Sequence, residues 1–581
     1  MNGSSFGPRL IQDGVAFRLW APAAQRVDLL LDDTTHEMHR DEGGWFTRNV
    51  ADAHAGTRYR FLIDGETEVP DPASPFQPDD IAGPGELIDH QSYNWRATDW
   101  RGRPWEDAVF LETHVGTFTP EGTYRAMIDK LDHLVATGIT ALELMPVADF
   151  PGRWNWGYDG ALWYAPDSSY GRPDDLKALI DEAHLRGLMV FLDVVYNHFG
   201  PEGNYLGLYA PSFFSPAQTP WGNAIDYRVP EVRQFAVENA LHWLRTYRFD
   251  GLRLDAVHAI ETAEDLLLRD ISIAVGVFAR SSGRHIHLVL ENDDNRAGLL
   301  DPFADPPAGK YRAQWNDDYH HAWHVLLTGE TFGYYQDYQP PLPHLVRALQ
   351  SGFAYQGEPS AHRSNALRGE SSGHLSPAAF VNFIQNHDQI GNRALGDRLA
   401  CPPAALEAAL AITLLAPMPP MLFMGEEWGA TSPFPFFCDF KGDLAQAVRE
   451  GRRREYRKAY EAFGDDVPDP VDQTTFVHAK LDWQELQSPD GRRRHELVRK
   501  LLTLRREHIV PHLRVASFGE AHVEPDGILF ASWALNDHLL TLTANLSSEP
   551  SAKEAPHGRH MIWGKSGLLG PWSVCWTTES A

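Results

Sequence analysis

Four carboxylates stand at or just beyond the ends of short apolar runs. They are Asp193 in Phe191-Leu-Asp-Val-Val-Tyr-Asn-His198, Asp255 in Gly251-Leu-Arg-Leu-Asp255, Glu291 in His287-Leu-Val-Leu-Glu291 and Asp388 in Phe383-Ile-Gln-Asn-His-Asp388. Paired carboxyl groups suit cleavage of a glycosidic bond. One attacks the anomeric carbon and the other protonates the leaving oxygen, with the two about 5 Å apart when configuration is retained. Asp255 suits the nucleophile, because Arg253 lies two residues earlier on the same strand face and would hold it ionised and aimed. Glu291 suits the acid/base, since apolar walls and a neighbouring negative charge would keep its proton near neutral pH. Asp388 suits stabilisation of the positive charge at the reacting carbon, or a grip on sugar hydroxyls. His198 and His387 are candidates to hydrogen-bond the same sugar, and Asp193 orients the site. Taken singly, a strand-end Asp is more often a turn former or helix cap, and an Arg-x-Leu-Asp a structural ion pair. Their joint ordering is what argues for chemistry.

The elements that must carry these acids are legible as texture. Runs of four to six apolar, partly β-branched residues read as strands buried on both faces, and an acid at the C-terminal end then stands on the rim where parallel α/β folds place active sites. Strands are expected at Val109–Val115, Ile139–Val147, Leu188–Tyr196, Gly251–Val257, His287–Glu291, Arg312–Trp315, Phe380–Ile384 and Met421–Met424. The sixth is only weakly apolar. Amphipathic helices are expected at Thr123–Thr137, Pro173–Arg186, Pro230–Tyr247 and Arg492–His508, giving α/β alternation and a (β/α)8 TIM barrel. Before it, Val15–Trp20, Val27–Leu31 and the Tyr59, Phe61, Ile63 face read as strands of a small β domain, and Val69–Gly85 as a connecting loop. After it, Ile528–Trp533 and Leu539–Leu546 flank an Asn536-Asp537 turn, a hairpin of a C-terminal β domain. The expected domains are 1–92, an N-terminal immunoglobulin-like β-sandwich; 93–508, the barrel; and 509–581, the C-terminal β domain. The segment Ser547–His560 fits no element.

Composition narrows the partners. A net charge of −28 argues against nucleic acid or an anionic membrane as a partner, whereas a neutral substrate would not be repelled. Three scattered cysteines, Cys401, Cys438 and Cys575, argue against a disulfide framework or a Cys-based metal site. Neither a leader-like start nor a membrane-spanning run is read, so a cytoplasmic location is expected. No cofactor is expected, and no compact Asp/Asn cluster suggests a calcium site.

The four acid-bearing segments resemble the four sequence regions of the α-amylase clan of glycoside hydrolases. By that resemblance Asp255 is the nucleophile, Glu291 the proton donor and Asp388 the transition-state stabiliser. Arg253, His198 and His387 surround the sugar, and Tyr158 in Asn155-Trp-Gly-Tyr-Asp159 stacks beneath it. The clan hosts several reactions, so longer matches are needed to narrow it. His114–Thr123, Asp255–Ile260, Gln314–Asp318, Asn386–Asn392 and the three-domain layout resemble the malto-oligosyltrehalose trehalohydrolase family; Thr113 departs from its usual apolar residue. The resemblance implies a retaining hydrolase of the α-1,4 bond that joins terminal trehalose to a maltooligosaccharide, with maltooligosyl trehalose and related α-glucans as partners. His258, Asn316, Asp317, Asp318, Gln389 and Arg393 are then candidates for the leaving side, where hydroxyl pairing would reject plain starch ends. The alternative for Asn316-Asp317-Asp318 is a cap on the helix Tyr319–Leu327, an equal reading for Asp318 alone. A glycogen branching enzyme and a non-catalytic glucan-binding protein are the alternatives.

Overall fold

The computed structural model describes residues 5–580, except 33, 220–221, 261–264, 306–307, 458–460, 462–463, 465–466 and 557–558. The first four residues of the chain, and two of Ser547–His560, thus lie outside the described residues. Eight parallel strands close a barrel in chain order: Phe110–Thr113, Ala141–Leu144, Met189–Val194, Gly251–Leu254, His287–Leu290, Ala313–Trp315, Phe380–Phe383 and Pro420–Phe423. The first pairs with the eighth through Phe110 and Met421. Every residue of these eight strands is buried, which is why they read as apolar runs and not as alternating ones.

The barrel interior is a packed core. Phe110, Ala141, Met189, Phe191, Val289, Ala313, Trp315, Val381, Phe383 and Met421 form one cluster, as layered interiors of such barrels do. Gly251 is required there. A Cβ at this position would lie 2.1 Å from the Phe191 ring. Trp105 closes the bottom, its Nε1 donating to the Ala378 carbonyl at 2.9 Å. Above this core, Asp193 and Arg253 are register partners on adjacent strands. Alternation along each strand thus puts Phe191 and Asp193 on one face, and sends Arg253 towards the same axis.

The helices Pro173–Leu185, Pro230–Thr246 and Pro489–His508 each carry proline in the first turn, where its missing N–H costs nothing. The expected helix over 123–137 is two, Tyr124–Ile128 and Leu131–Thr137, separated at Asp129-Lys130. Thr123 caps the first by accepting from Ala126 N at 3.3 Å, and Gly138 ends the second with φ 103°.

The N-terminal domain is a sandwich of two antiparallel sheets. One orders Arg9–Ile11, Gly14–Trp20, Trp45–Val50 and His39–Arg40; the other orders Thr34–Glu37, Val27–Leu31, Arg58–Ile63 and Thr67–Val69. Val15, Phe17 and Leu19 meet Leu29, Tyr59, Phe61 and Ile63 inside. The C-terminal domain is one five-stranded sheet. Its hairpin turns at Asn536-Asp537 between the partners Leu535 and His538, with Asn536 at φ 58°. Among the described residues no helix is long and apolar enough to cross a membrane.

Candidate active site

A cavity of about 790 Å³ opens at the C-terminal rim of the barrel. Asp255 and Glu291 both line it, each in the position directly after its strand. Arg253 ties them together: Nη1 is 2.7 Å from Asp255 Oδ1 and Nη2 is 3.8 Å from Glu291 Oε2. The same Nη1 is 2.7 Å from Asp193 Oδ2, and the guanidinium lies over the Trp315 ring, 4.1 Å from its centroid. Asp255 takes its second hydrogen bond on Oδ2 from Asn197 Nδ2 at 2.8 Å. A carboxylate with a donor on each oxygen is held as an aimed anion. Glu291 Oε2 accepts from the Ala256 backbone N–H, the residue next to Asp255.

The two carboxyl groups therefore differ in their surroundings. Burial in the cavity wall raises the Glu291 pKa well above the carboxyl range; Arg253 opposes the rise, while Asp255, Asp317 and Asp388 reinforce it. Its surroundings thus favour a proton on Glu291, beside an Asp255 that accepts a hydrogen bond on each oxygen. This is the division of labour that acid-assisted displacement needs. Asp388 lies in the short helix His387–Gly391 beyond the seventh strand, with Asn392 Nδ2 donating to its Oδ1 at 2.8 Å.

Tyr158, His198 and His387 form the wall beneath the acids. Tyr158 OH donates to Asp193 Oδ2 at 2.7 Å, and His198 Nε2 is 2.8 Å from the Tyr158 carbonyl. The Tyr158 and His387 rings stack with centroids 5.1 Å apart. Gly157 makes this loop possible: it has φ 105°, and a Cβ there would meet the Pro146 carbonyl oxygen at 2.1 Å. Burial raises Asp193 to about 6 despite Arg253. Its role is to hold Arg253 and Tyr158, since it does not line the cavity.

The opposite wall comes from the segment between the sixth-strand helix, Asp317–Thr328, and the seventh strand. Tyr334, Asp337, Ser360, His362, Arg363 and Arg368 face the cavity from it. Arg368 pairs with Asp293 Oδ1 at 2.9 Å and Asp318 Oδ1 at 2.8 Å.

A model of the alpha amylase catalytic domain matches residues 93–208, and one of carbohydrate-binding module 48, the isoamylase N-terminal domain, matches residues 5–77. A malto-oligosyltrehalose trehalohydrolase of Deinococcus radiodurans is 44% identical over 506 residues, covering 86% of this chain and 82% of the relative. The chain belongs to the malto-oligosyltrehalose trehalohydrolase family. A Salmonella typhimurium protein solved as a candidate alpha amylase is 44% identical, with TM-score 0.93 and full coverage of both chains. The 1,4-alpha-glucan branching enzyme of Mycobacterium bovis is 33% identical over only 42% of this chain and 37% of its own. The trehalohydrolase match thus runs through the barrel and beyond, whereas the branching-enzyme match covers less than half of either chain.

Of the six leaving-side candidates in this trehalohydrolase-family chain, His258, Asp317 and Gln389 line the cavity. Burial raises Asp317 to about 7, with Asp293 adding to the rise, Arg368 opposing it and Asp388 adding again. Gln389 Oε1 accepts from Tyr334 OH at 2.8 Å. The other three call for correction. Asn316 is fully buried, its amide donating to the Gly352 carbonyl at 3.1 Å and to Asn382 Oδ1 at 2.8 Å. It stands at the N-cap position without a side-chain cap bond. Asp318 is also fully buried, accepting from Asn295 Nδ2 at 2.9 Å, Ala354 N at 2.7 Å and Tyr355 N at 2.9 Å besides pairing with Arg368. Arg393 is held by Glu330 at 2.7 Å and Asp397 at 3.0 Å. None of the three is on the cavity wall. Asp318 instead anchors the wall segment through Arg368. Replacing it with Ala is expected to cost about 3–5 kcal/mol, because a buried arginine loses a counter-ion and two backbone amides lose their acceptor. Equilibrium urea unfolding reads this, and a loss below about 1 kcal/mol would mean the anchor is dispensable.

Several contributors escaped the sequence reading, among them Asn197, Asp293, Tyr334, Arg363 and Arg368. Asn197 stands next to His198 in the motif already singled out, so a signal existed for it. Among the described residues one His/Asp cluster brings ligand atoms within 4.8 Å of one another, His512, Asp537 and His538. It belongs to the C-terminal hairpin region and not to the cavity lining.

Proposed function

We propose that the chain is a retaining glycosidase that hydrolyses the α-1,4-glucosidic bond next to the terminal trehalose of maltooligosyl trehalose, releasing trehalose. The observation that carries the reading is the pair Asp255 and Glu291, tied by one guanidinium in one cavity, with a donor on each Asp255 oxygen and burial favouring the protonated form of Glu291. Asp255 attacks the anomeric carbon as Glu291 protonates the departing trehalose oxygen. Water then attacks the glucosyl-enzyme with Glu291, now ionised, taking its proton. Asp388 faces the positive charge of both transition states. Tyr158 offers an aromatic face and His387 its Nε2 to a hydroxyl of that sugar, while His198, its ring nitrogens on Asn197 and the Tyr158 carbonyl, shapes the wall beside it. His258, Asp317 and Gln389 are assigned to the leaving trehalose, in a wall built of ion-paired arginines. Buried polar groups left unpaired by a shorter or different end would select against plain starch. The reading places the enzyme in the cytoplasm, consistent with three free cysteines.

Incubation with maltotriosyltrehalose is expected to release trehalose and maltotriose, the latter first as its α-anomer by proton NMR. Amylose should yield no new 1,6-branches. Branch formation without trehalose would favour a transferase, and neither product would favour a glucan-binding role.

A further inference from the structure

The first barrel strand carries a buried acid that the mechanism above leaves unused. Glu112 is 1% exposed, yet it reaches across to the far side of the chain. The His387 backbone N–H donates to Glu112 Oε2 at 3.0 Å, and His387 Nδ1 meets Glu112 Oε1. The other ring nitrogen, Nε2, is left 4.0 Å from Asp388 Oδ1 in a residue that lines the cavity. The stacked Tyr158, the edge-on Trp156 and Trp315 fix the ring on its remaining sides. We propose that Glu112 is a positioning residue: it turns His387 and keeps both imidazole nitrogens protonated, so that Nε2–H is offered to a sugar hydroxyl beside Asp388.

The charges around His387 agree with this. Burial alone would lower its pKa, but the Glu112 charge and hydrogen bond outweigh it, Asp388 adds to the rise and Arg253 opposes it, leaving the pKa raised. Of the other titratable groups nearby, His114 is driven down to about 3, chiefly by burial, and burial holds Tyr158 far up as a neutral phenol. The acid beside Glu112 is Glu143, its register partner on the second strand. Neither Glu143 oxygen has a hydrogen-bond partner. Burial first, then the charges of Glu112 and Asp193, raise its pKa well above the carboxyl range against Arg253. Glu143 is therefore favoured in its neutral form, and the acid that contacts His387 is Glu112.

The kinetic test rests on the trehalose-releasing reading; the spectroscopic one does not. With maltotriosyltrehalose, kcat/KM is followed across the pH range for wild type, Glu112→Gln, Glu112→Asp, Glu143→Gln and His387→Asn, and for Glu112→Gln combined with His387→Asn. Removing an adjacent opposite charge lowers a cation's pKa by about 1–3 units. The alkaline limb of Glu112→Gln is therefore expected to move down by that much, with about tenfold loss per unit above it. Glu112→Asp should restore most of the limb, and Glu143→Gln should leave it in place. In the His387→Asn background Glu112→Gln should shift nothing further, as expected of residues acting through one another. An unmoved limb in Glu112→Gln, or an equal shift without His387, overturns the proposal. Should Glu112→Gln fail to fold, ring-15N-histidine spectra of the wild type decide. The His387 signals, assigned by their loss in His387→Asn, should show both nitrogens protonated at neutral pH; a neutral tautomer overturns the proposal whatever the substrate proves to be.

Discussion

Asn in place of Asp255 is expected to lower kcat for trehalose release by at least about 10⁴-fold, as removal of an attacking group does in enzymes with covalent intermediates. Asn keeps the shape and its one carbonyl oxygen can still accept from Arg253, while its NH2 group loses the bond that Asn197 Nδ2 donates to Asp255 Oδ2; it cannot bond to the anomeric carbon as an anion. Arg253 is not orphaned, because Asp193 remains 2.7 Å from its Nη1. The melting temperature should therefore move by no more than about 5 °C. The substitution also removes one of the charges that hold the Glu291 proton, so Glu291 should titrate lower in this variant. Loss of activity with a preserved melting curve and preserved glucan binding is the expected pattern. A kcat within tenfold of wild type would mean that another group attacks.

Gln in place of Glu291 is expected to lower kcat by about 10²–10⁴-fold and to change the pH profile. In the wild type the reacting form carries a proton on Glu291. Its pKa is raised above the ordinary carboxyl value by burial and by its acidic neighbours, so activity persists above that ordinary value and falls as pH rises through the raised one. Gln cannot titrate, so this part of the alkaline fall should vanish from the residual activity. Substrates with leaving groups that need no proton, such as dinitrophenyl maltosides, should lose far less in the first step than maltotriosyltrehalose does. Equal losses on both substrates would exclude Glu291 as the donor to the leaving oxygen.

What the sequence disclosed follows from where each signal lies. The acids after the fourth and fifth strands were legible because four consecutive buried residues precede each. The barrel count survived even at the sixth strand, which is only Ala313–Trp315. Its weak apolarity has a cause: Gln314 is buried there, with Nε2 donating to the Asn292 carbonyl at 2.9 Å and to Asn295 Oδ1 at 3.1 Å. Asn316 and Asp318 misled for a related reason, since a polar residue at a strand end can serve the wall from behind as readily as from the front. Arg363 and Arg368 were invisible, because a side chain set by a hairpin far along the chain leaves no periodic trace near the acids. Glu112 was passed over because it lies inside an apolar run, as Glu143 does, and only its partner 275 residues away shows what it does.

The Glu112–His387 contact spans the closing seam of the barrel, where the eighth strand pairs with the first on one side and the seventh on the other. A chain still emerging from the ribosome, lacking Pro420–Phe423, has no closed ring to bring these two residues together. Such an intermediate would hold Asp255 and Glu291 on neighbouring strands, yet could not grip a sugar between them. Turnover during refolding should consequently trail the recovery of helical circular dichroism, and rise only when the ring shuts.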